Sequence, residues 1–276
     1  MRNLERETIK SVRTSLRNLK ISEAQLHIIG SVFFTAYKEL SINGPSKYKR
    51  FVIVSQGRTG SSLLSDLLDQ HPLIRCQSEI LNHKVYFPIT FIKGMATYYH
   101  HHCWGFKVKP AQLRNRQKVD AELFLRQLAD EGFTFIQLTR SNLARRTLSA
   151  LVGYARGSYH KLEQGQPLEP VTIDPAQLLT AINRSIKNQE EENDCMQQVE
   201  HLRLVYEDDL FSSEVQVETA QRIFRFLELP DIDAPVQSRF LKVSSANLRD
   251  DVENFSELLQ HLEQHQMFWA ITQLIN

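Results

Sequence analysis

A short, wholly apolar segment leads directly into a glycine-containing turn and a helix, in the sequence FVIVSQGRTGSSLLSDLLDQ (residues 51–70). Residues 51–54 are wholly apolar, which predicts a short buried strand. Residues 61–70 carry leucines on one side, which predicts an amphipathic helix. Between them, Gly57 and Gly60 permit positive φ angles and close approach of an anion. Because the first backbone N–H groups of a helix point outward and its dipole favours negative charge, this stretch predicts an anion-binding loop.

The polar side chains of residues 55–62, here called the anion loop, support that prediction. Thr59, Ser61 and Ser62 add hydroxyl donors, and Arg58 adds a positively charged fork. In the nucleotide-triphosphate loop G-x-x-x-x-G-K-[ST], a lysine would stand where this chain has Ser61. The anion loop therefore predicts phosphate binding without the lysine that reaches a γ-phosphate. A strand-to-helix turn that uses glycine for its geometry alone is the alternative.

Further apolar strands alternate with helical segments along the rest of the chain. This alternation predicts an α/β fold, P-loop-like and three-layered, with a central, mostly parallel β-sheet flanked by helices. Ligands of such folds bind at the carboxyl ends of the strands, so the residues that follow each strand are the functional candidates. The further predicted strands are residues 74–77, 104–109, 133–138 and 202–206, and the further predicted helices are residues 120–131, 142–154, 174–201 and 214–229.

A second candidate anion site follows the apolar strand at residues 133–138. Arg140 comes directly after this strand, and Arg145 and Ser149 follow on the next predicted helix. Since Arg145 and Ser149 are four residues apart, they share a helix face. Arg140 and the anion loop are expected in the same crevice, where two anion sites are a more specific signal than one. The alternative is a basic helix that simply faces water.

The overall composition limits the classes of partner and compartment. The chain has 276 residues and a formal net charge of +1, so a protein that coats nucleic acid is excluded, whereas a local basic patch remains compatible. Three scattered cysteines do not make a disulfide framework. No segment reads as a membrane span or a signal peptide, and the expected location is cytoplasmic.

Two regions are predicted along the chain. Residues 1–49 form an N-terminal helical segment, and residues 50–276 form the α/β domain. Within the first region, helical spacing places a basic stripe beside an apolar one. The favoured interpretation is a helix packed on the domain with its basic face in water, and a peripheral membrane contact is the alternative. The basic stripe consists of Lys10, Arg13, Arg17 and Lys20.

Both candidate anion sites together resemble the sulfotransferases that use 3′-phosphoadenosine 5′-phosphosulfate (PAPS). The first loop of that family is similar to Arg58-Thr59-Gly60-Ser61-Ser62, especially in bacterial and Golgi-type carbohydrate sulfotransferases and in tyrosylprotein sulfotransferases. The family's 3′-phosphate motif, an arginine at a strand end and a serine on the next helix, resembles Arg140 and Ser149. The C-terminal segment LKVSSANLRDDVENFSEL resembles that of bacterial members, in which a basic residue approaches the cofactor, and the candidate here is Lys242.

This resemblance implies transfer of a sulfuryl group from PAPS to a hydroxyl of a carbohydrate or glycoconjugate, leaving 3′-phosphoadenosine 5′-phosphate (PAP). It implies Glu79 as the base, because related enzymes carry a catalytic glutamate after the second strand. Lys107, at the end of a predicted strand, is expected to reach the leaving oxygen or the sulfuryl group. Arg58 and the amides of the anion loop are expected to hold the 5′-phosphosulfate. No metal is implied, since arginine, lysine and backbone dipoles supply the positive charge.

Other classes of function remain open at this stage. Residues 207–209, three acids after an apolar strand, resemble the magnesium-binding acid of an ATPase, so a P-loop kinase or ATPase is one alternative. A non-catalytic nucleotide-binding scaffold is another. His100 and His102 would share a face of an extended segment and could chelate zinc, although no second ligand pair has convincing spacing. The sequence does not indicate which individual hydroxyl compound is the acceptor, nor the oligomeric state.

Overall fold

A computed structural model describes residues 48–99, 102–157, 169–232 and 248–275 of the chain. Most of the predicted N-terminal helical segment, together with His100 and Lys242, lies outside the described residues. The predictions made for them therefore stay predictions. The rest of the predicted α/β domain can be compared with the structure element by element.

The described part of the chain forms a sheet of five strands in the spatial order β2-β3-β1-β4-β5, and all neighbouring pairs are parallel. Each strand coincides with a predicted one to within a few residues, and helices flank the sheet on both faces, so the predicted fold class is confirmed. With β1 between β3 and β4, the carboxyl ends of these three strands meet at one edge. The strands are β1 (Lys49–Ser55), β2 (Ile74–Gln77), β3 (Cys103–Val108), β4 (Phe133–Thr139) and β5 (His201–Val205).

Ten α-helices lie within the described residues, and four of them begin with a side-chain cap. The caps are Asp120, Asn142, Asp174 and Ser212, each of which accepts a hydrogen bond from a backbone N–H of the first turn. A π-helical turn (Leu113–Gln117) continues α3, and a 3₁₀ turn (Leu248–Asp251) precedes α9. The helices are α1 (Ser61–Leu68), α2 (Pro88–Tyr99), α3 (Pro110–Gln112), α4 (Ala121–Asp130), α5 (Leu143–Ala155), α6 (Pro175–Gln197), α7 (Tyr206–Asp209), α8 (Ser213–Phe226), α9 (Phe255–Gln264) and α10 (Phe268–Ile275).

The apolar side chains of β1 pack against helices on both faces of the sheet. Phe51 and Ile53 pack with apolar residues of α1 and α8, whereas Val52 and Val54 pack with those of α2 and α4. This two-sided burial explains why β1 is apolar throughout rather than alternating. A third apolar cluster joins α5, α6, α9 and α10. Within the described residues, each helix is either too short or too polar to cross a membrane.

Gly105 of β3 lies beside Phe51 of β1 in the parallel register. A Cβ atom at Gly105 would lie 2.4 Å from the Phe51 ring. We predict that Gly105→Ala lowers the free energy of unfolding by about 1–3 kcal/mol, because overpacking forces side chains or strands apart. The measurement is urea unfolding followed by circular dichroism.

Gly57→Ala is the matched control for this substitution. A Cβ atom at Gly57 would meet only the Lys109 side chain at 4.0 Å. Its effect on the free energy of unfolding should stay within about 0.5 kcal/mol, as for ordinary surface substitutions. Equal stabilities of the two variants would contradict the close approach of β1 and β3.

Candidate functional site

The anion loop turns sharply between β1 and α1. Positive φ angles occur at Arg58 (64°) and Gly60 (89°), so of the two glycines that permit such an angle only Gly60 adopts one. Gly60 precedes α1, and a Cβ atom there would lie 2.6 Å from the Tyr206 ring. The loop therefore requires glycine at residue 60 both for its backbone conformation and for its contact with Tyr206.

The N-terminus of α1 differs from the capped helix starts described above. No side chain among the described residues makes a capping hydrogen bond there, and the first turn contains no acidic residue. The hydroxyl of Thr59 is not directed at the helix start, since it donates to the carbonyl of Gln56 (2.9 Å). The first backbone N–H groups of α1, beside the half-buried Ser61 and Ser62, are therefore suited to an anion.

The two predicted anion sites meet through a direct contact. The Arg58 guanidinium donates to Ser149 Oγ from Nη2 (3.0 Å) and from Nε (3.3 Å). Arg140 Nη1 donates to the Arg58 carbonyl (3.1 Å). Arg58, which lies 82 and 91 positions away from Arg140 and Ser149, thus joins these two residues in one hydrogen-bonded cluster at the carboxyl edge of the sheet.

Arg140 is held by an acid and an aromatic ring. Its Nε lies 3.4 Å from a Glu207 carboxylate oxygen, and its guanidinium carbon lies 4.7 Å from the centre of the Tyr206 ring. The Nε atom is buried and makes no hydrogen bond within the part of the chain that the structure describes. Burial lowers the pKa of the Arg140 guanidinium, and the charge of Glu207 opposes that shift. A fixed, partly desolvated cation interacts strongly with an anion that enters from the open side.

Glu207 stabilises the end of β4. Its carboxylate accepts hydrogen bonds from the backbone N–H groups of Ser141 (2.9 Å) and Asn142 (3.2 Å). Burial alone would raise the pKa of Glu207, but these hydrogen bonds outweigh burial and lower it. The acid that resembled a magnesium ligand thus binds backbone and Arg140. No group of three histidine, cysteine, aspartate or glutamate side chains that could hold a metal is found within the described ranges.

Lys107 reaches the same loop from β3. Its ammonium donates to Ser62 Oγ (3.2 Å), and the residue is only 6% exposed. Burial lowers the pKa of this ammonium, while the carboxylate of Glu79 opposes the shift. The predicted cation at the end of β3 therefore lies beside the start of α1, within reach of a group bound there.

Glu79 lies just after β2, on the other side of Lys107 from Arg140. Lys109 Nζ donates to its carboxylate (2.9 Å), and the Gln112 amide donates to the same group. The Glu79 side chain is 24% exposed, so solvent or a substrate can still approach it. Sequence reasoning named Glu79 and missed Lys109, although the alternation in WGFKVK places Lys107 and Lys109 on one face of a strand.

A groove of about 430 Å³ opens near this side of the sheet. It lies between the N-termini of α2 and α4, and Tyr86 and Phe87 on its wall are more than half exposed. Two buried amides hold the segment that runs from Glu79 toward this groove: Gln112 donates to Glu79 and Asn82, and Gln117 donates to the carbonyls of Leu81 and His83 and accepts from Val85 N–H. The lining residues are Tyr86, Phe87, Pro88, Ile89, Thr90, Val119, Asp120, Leu123, Phe124 and Gln127.

The structure is thus that of an α/β protein with a basic site at the carboxyl edge of its sheet, and this chain can now be compared with known proteins. No protein-family model matches the chain, and no curated protein matches it. Among solved structures, the chain is similar to the crystal structure of a sulfotransferase from Alicyclobacillus acidocaldarius, with 11% sequence identity and a TM-score of 0.47. The likeness covers 83% of this chain and 95% of that one. Because this identity and this TM-score are low, the chemistry proposed below rests on the residues of this chain.

Glu207 provides a pH-dependent test of the site's architecture. We predict that Glu207→Gln lowers the free energy of unfolding at pH 7 by about 2 kcal/mol, since hydrogen bonds to a charged group are lost. The folded state lowers the pKa of Glu207, so its contribution is present above the unfolded pKa and disappears as the pH falls through the folded pKa. Urea unfolding at pH 7 and at pH 3 measures the difference between wild type and variant.

The neighbouring acid on α7 gives the control for this prediction. Asp208 is exposed, so Asp208→Asn should leave the free energy of unfolding nearly unchanged at both pH values. A Glu207→Gln effect that is the same at pH 7 and pH 3 would contradict the role given to its ionised carboxylate.

Proposed function

We propose that this protein is a PAPS-dependent sulfotransferase that acts on a hydroxyl of a carbohydrate or glycoconjugate. The observation that supports this most directly is the joining of two anion sites through the Arg58–Ser149 contact, with Arg140 alongside. PAPS carries two separate anionic groups, the 5′-phosphosulfate and the 3′-phosphate. A protein with little net charge can bind such a nucleotide only if its cations are concentrated locally.

The described residues fit this nucleotide in their chemistry. The uncapped start of α1, with Gly60, Ser61 and Ser62, and the nearby Lys107 are proposed to bind the 5′-phosphosulfate. Arg140 and Ser149 are proposed to bind the 3′-phosphate, and Arg58, which contacts Ser149, is proposed to hold the 5′-phosphosulfate together with the amides of the anion loop. Ser61 stands where a triphosphate loop has its lysine, which disfavours ATP. Lys242 remains a further candidate from the sequence.

Each reactive role is assigned to a different group of the site. When bound, PAPS supplies the sulfuryl group, whose bond to the phosphate oxygen breaks as a bond to the acceptor oxygen forms. We propose that a Glu79 carboxylate oxygen takes the proton of the acceptor hydroxyl. A carboxylate has further lone pairs that can accept a proton while Lys109 and Gln112 donate hydrogen bonds to it. We propose that the Lys107 ammonium stabilises the negative charge that develops on the leaving phosphate oxygen.

The acceptor is proposed to bind in the groove between α2 and α4. Exposed Tyr86 and Phe87 offer aromatic faces for the apolar face of a sugar ring, and Asp120 and Gln127 offer polar groups for its hydroxyls. The segment of residues 79–86 joins Glu79 to the wall of this groove, so we propose that the acceptor reaches Glu79 from there.

Nucleotide preference is the first test of this proposal. We predict that calorimetry shows magnesium-independent binding of PAP in preference to ATP and ADP. Arg140→Ala should weaken PAP binding by about 100-fold, because a buried charge-assisted contact contributes roughly 2–3 kcal/mol. Arg126→Ala, which removes an exposed arginine on α4, should leave PAP affinity unchanged. Magnesium-dependent preference for ATP would instead indicate a kinase or ATPase and overturn the proposal.

The proposed base is tested separately. We predict that Glu79→Gln lowers sulfuryl transfer from PAPS to a panel of sugar acceptors by roughly 10²–10⁴-fold, the range for loss of a general base. PAP affinity should stay close to that of wild type, since Glu79 lies outside the nucleotide contacts. Glu200→Gln, at an exposed position before β5, is the control. If Glu79→Gln transfers normally, Glu79 is not the base, even though the nucleotide assignment can stand.

A further inference from the structure

Glu192 of α6 is a fully buried carboxylate beneath the anion loop. Its exposed fraction is 0%, yet polar groups from two strands reach it. Gln56, just after β1, donates from Nε2 to Glu192 Oε2 (2.9 Å). Gln137 of β4 donates from Nε2 to Glu192 Oε1 (3.3 Å). Nothing in the proposed reaction uses this carboxylate, so its burial calls for a separate explanation.

The hydrogen bonds of Gln56 connect Glu192 to the anion loop. The Gln56 amide also donates to the Asn188 carbonyl of α6 (3.1 Å), so this side chain is held at two points. The Gln56 carbonyl accepts the hydrogen bond from the Thr59 hydroxyl (2.9 Å). Thr59 is fully buried and lies between Arg58 and Gly60. A continuous path of hydrogen bonds therefore leads from Glu192 to the middle of the loop.

The same helix also holds the element that carries Ser149. Arg146 of α5 is buried and donates to Gln189 Oε1 (3.1 Å) and to the Ser185 carbonyl (3.4 Å) of α6. Thr147 of α5 donates to Ser185 Oγ (2.8 Å). Since α6 contacts the anion loop through Glu192 and α5 through these residues, it supports both proposed phosphate sites from below.

We propose that Glu192 is a positioning residue of the nucleotide site, which holds the anion loop through Gln56 and couples nucleotide affinity to its own protonation state. This inference rests on the proposed nucleotide binding. Glu192 acts through Gln56 and Thr59 and does not touch the nucleotide itself. Its charge nevertheless lies beneath a site built for anions, so its protonation state affects their binding.

The groups around Glu192 determine the direction of this dependence. The charged group facing it is Arg146 of α5, while β1, β4 and α6 itself present the neutral amides of Gln56, Gln137 and Gln189. Elsewhere on α6, Arg114 forms an ion pair with Glu191, the residue that precedes Glu192 in the chain. Burial raises the pKa of Glu192 to about 7, although the amides and Arg146 oppose the shift. The carboxyl group therefore changes charge in the neutral range.

The sign of the effect follows from linkage between proton and nucleotide binding. A polyanion above the carboxyl group favours its neutral form, so binding at pH values above about 7 takes up a proton. By reciprocity, nucleotide affinity falls as the pH rises from 6 to 8. Since the phosphates of the nucleotide titrate as well, only the difference between wild type and a variant without the carboxylate isolates Glu192.

The experiment compares the pH dependence of PAP binding in matched variants. Calorimetry should show that, between pH 6 and pH 8, the PAP affinity of wild type falls by a factor about five times larger than that of Glu192→Gln. A fivefold effect is at the lower end of the coupling commonly found between two binding sites. Buffers of different ionisation enthalpy should show a larger proton uptake by wild type at pH 8. Glu190→Gln, which removes an exposed carboxylate from the same helix, should follow wild type. Parallel curves for wild type and Glu192→Gln would overturn the inference.

A second measurement tests the positioning without any nucleotide. Hydrogen–deuterium exchange at one pH should be faster in residues 56–62 of Glu192→Ala than in wild type or Glu190→Gln, because Gln56 loses its partner. If wild type binds no PAP at any pH, the proposed function fails, and this exchange alone decides whether Glu192 holds the loop. Unchanged exchange in residues 56–62 would overturn the positioning role. Should Glu192→Ala not fold, Glu192→Met, which has a side chain of similar length without a carboxylate for Gln56, is measured in its place.

Discussion

Parallel hydrogen bonding of β1 between β3 and β4 places three strand ends side by side, and the candidate site depends on this arrangement. The anion loop follows β1, Lys107 and Lys109 stand at the end of β3, and Arg140 follows β4. Each of these groups belongs to a different strand, so without the sheet they would lie apart. Because parallel strands direct all their carboxyl ends to one edge, the groups become neighbours there without any long loop to carry them.

Burying several cations at one edge of the sheet costs desolvation free energy, and neighbouring polar groups reduce that cost. Arg140, Lys107 and Arg146 are all buried enough for the pKa of each to be lowered. Each has a specific partner: Arg140 has Glu207, Lys107 has the Ser62 hydroxyl, and Arg146 has α6 with Glu192 nearby. Cations held in this way are already partly desolvated and fixed in place, so an anion that binds them loses less to reorganisation.

Local sequence patterns predicted the elements of the sheet and the start of the site. The strands were recognisable because residues that are buried on both faces must be apolar along their whole length, as in residues 51–54. The patterns did not indicate one feature, the positive φ angle of Arg58. A turn can place a non-glycine residue in this region when its surroundings hold it there, and the carbonyl of Arg58 is bound by Arg140.

The sequence by itself determined the fold class, the anion loop and the candidate cations at the strand ends, because each depends on neighbours within a few residues. Only the tertiary structure decided which of these groups touch. The contacts Arg58–Ser149, Glu79–Lys109 and Glu192–Gln56 join residues 91, 30 and 136 positions apart. Such pairs depend on strand order and on the packing of α5 and α6, and neither periodicity nor spacing along one chain encodes them directly.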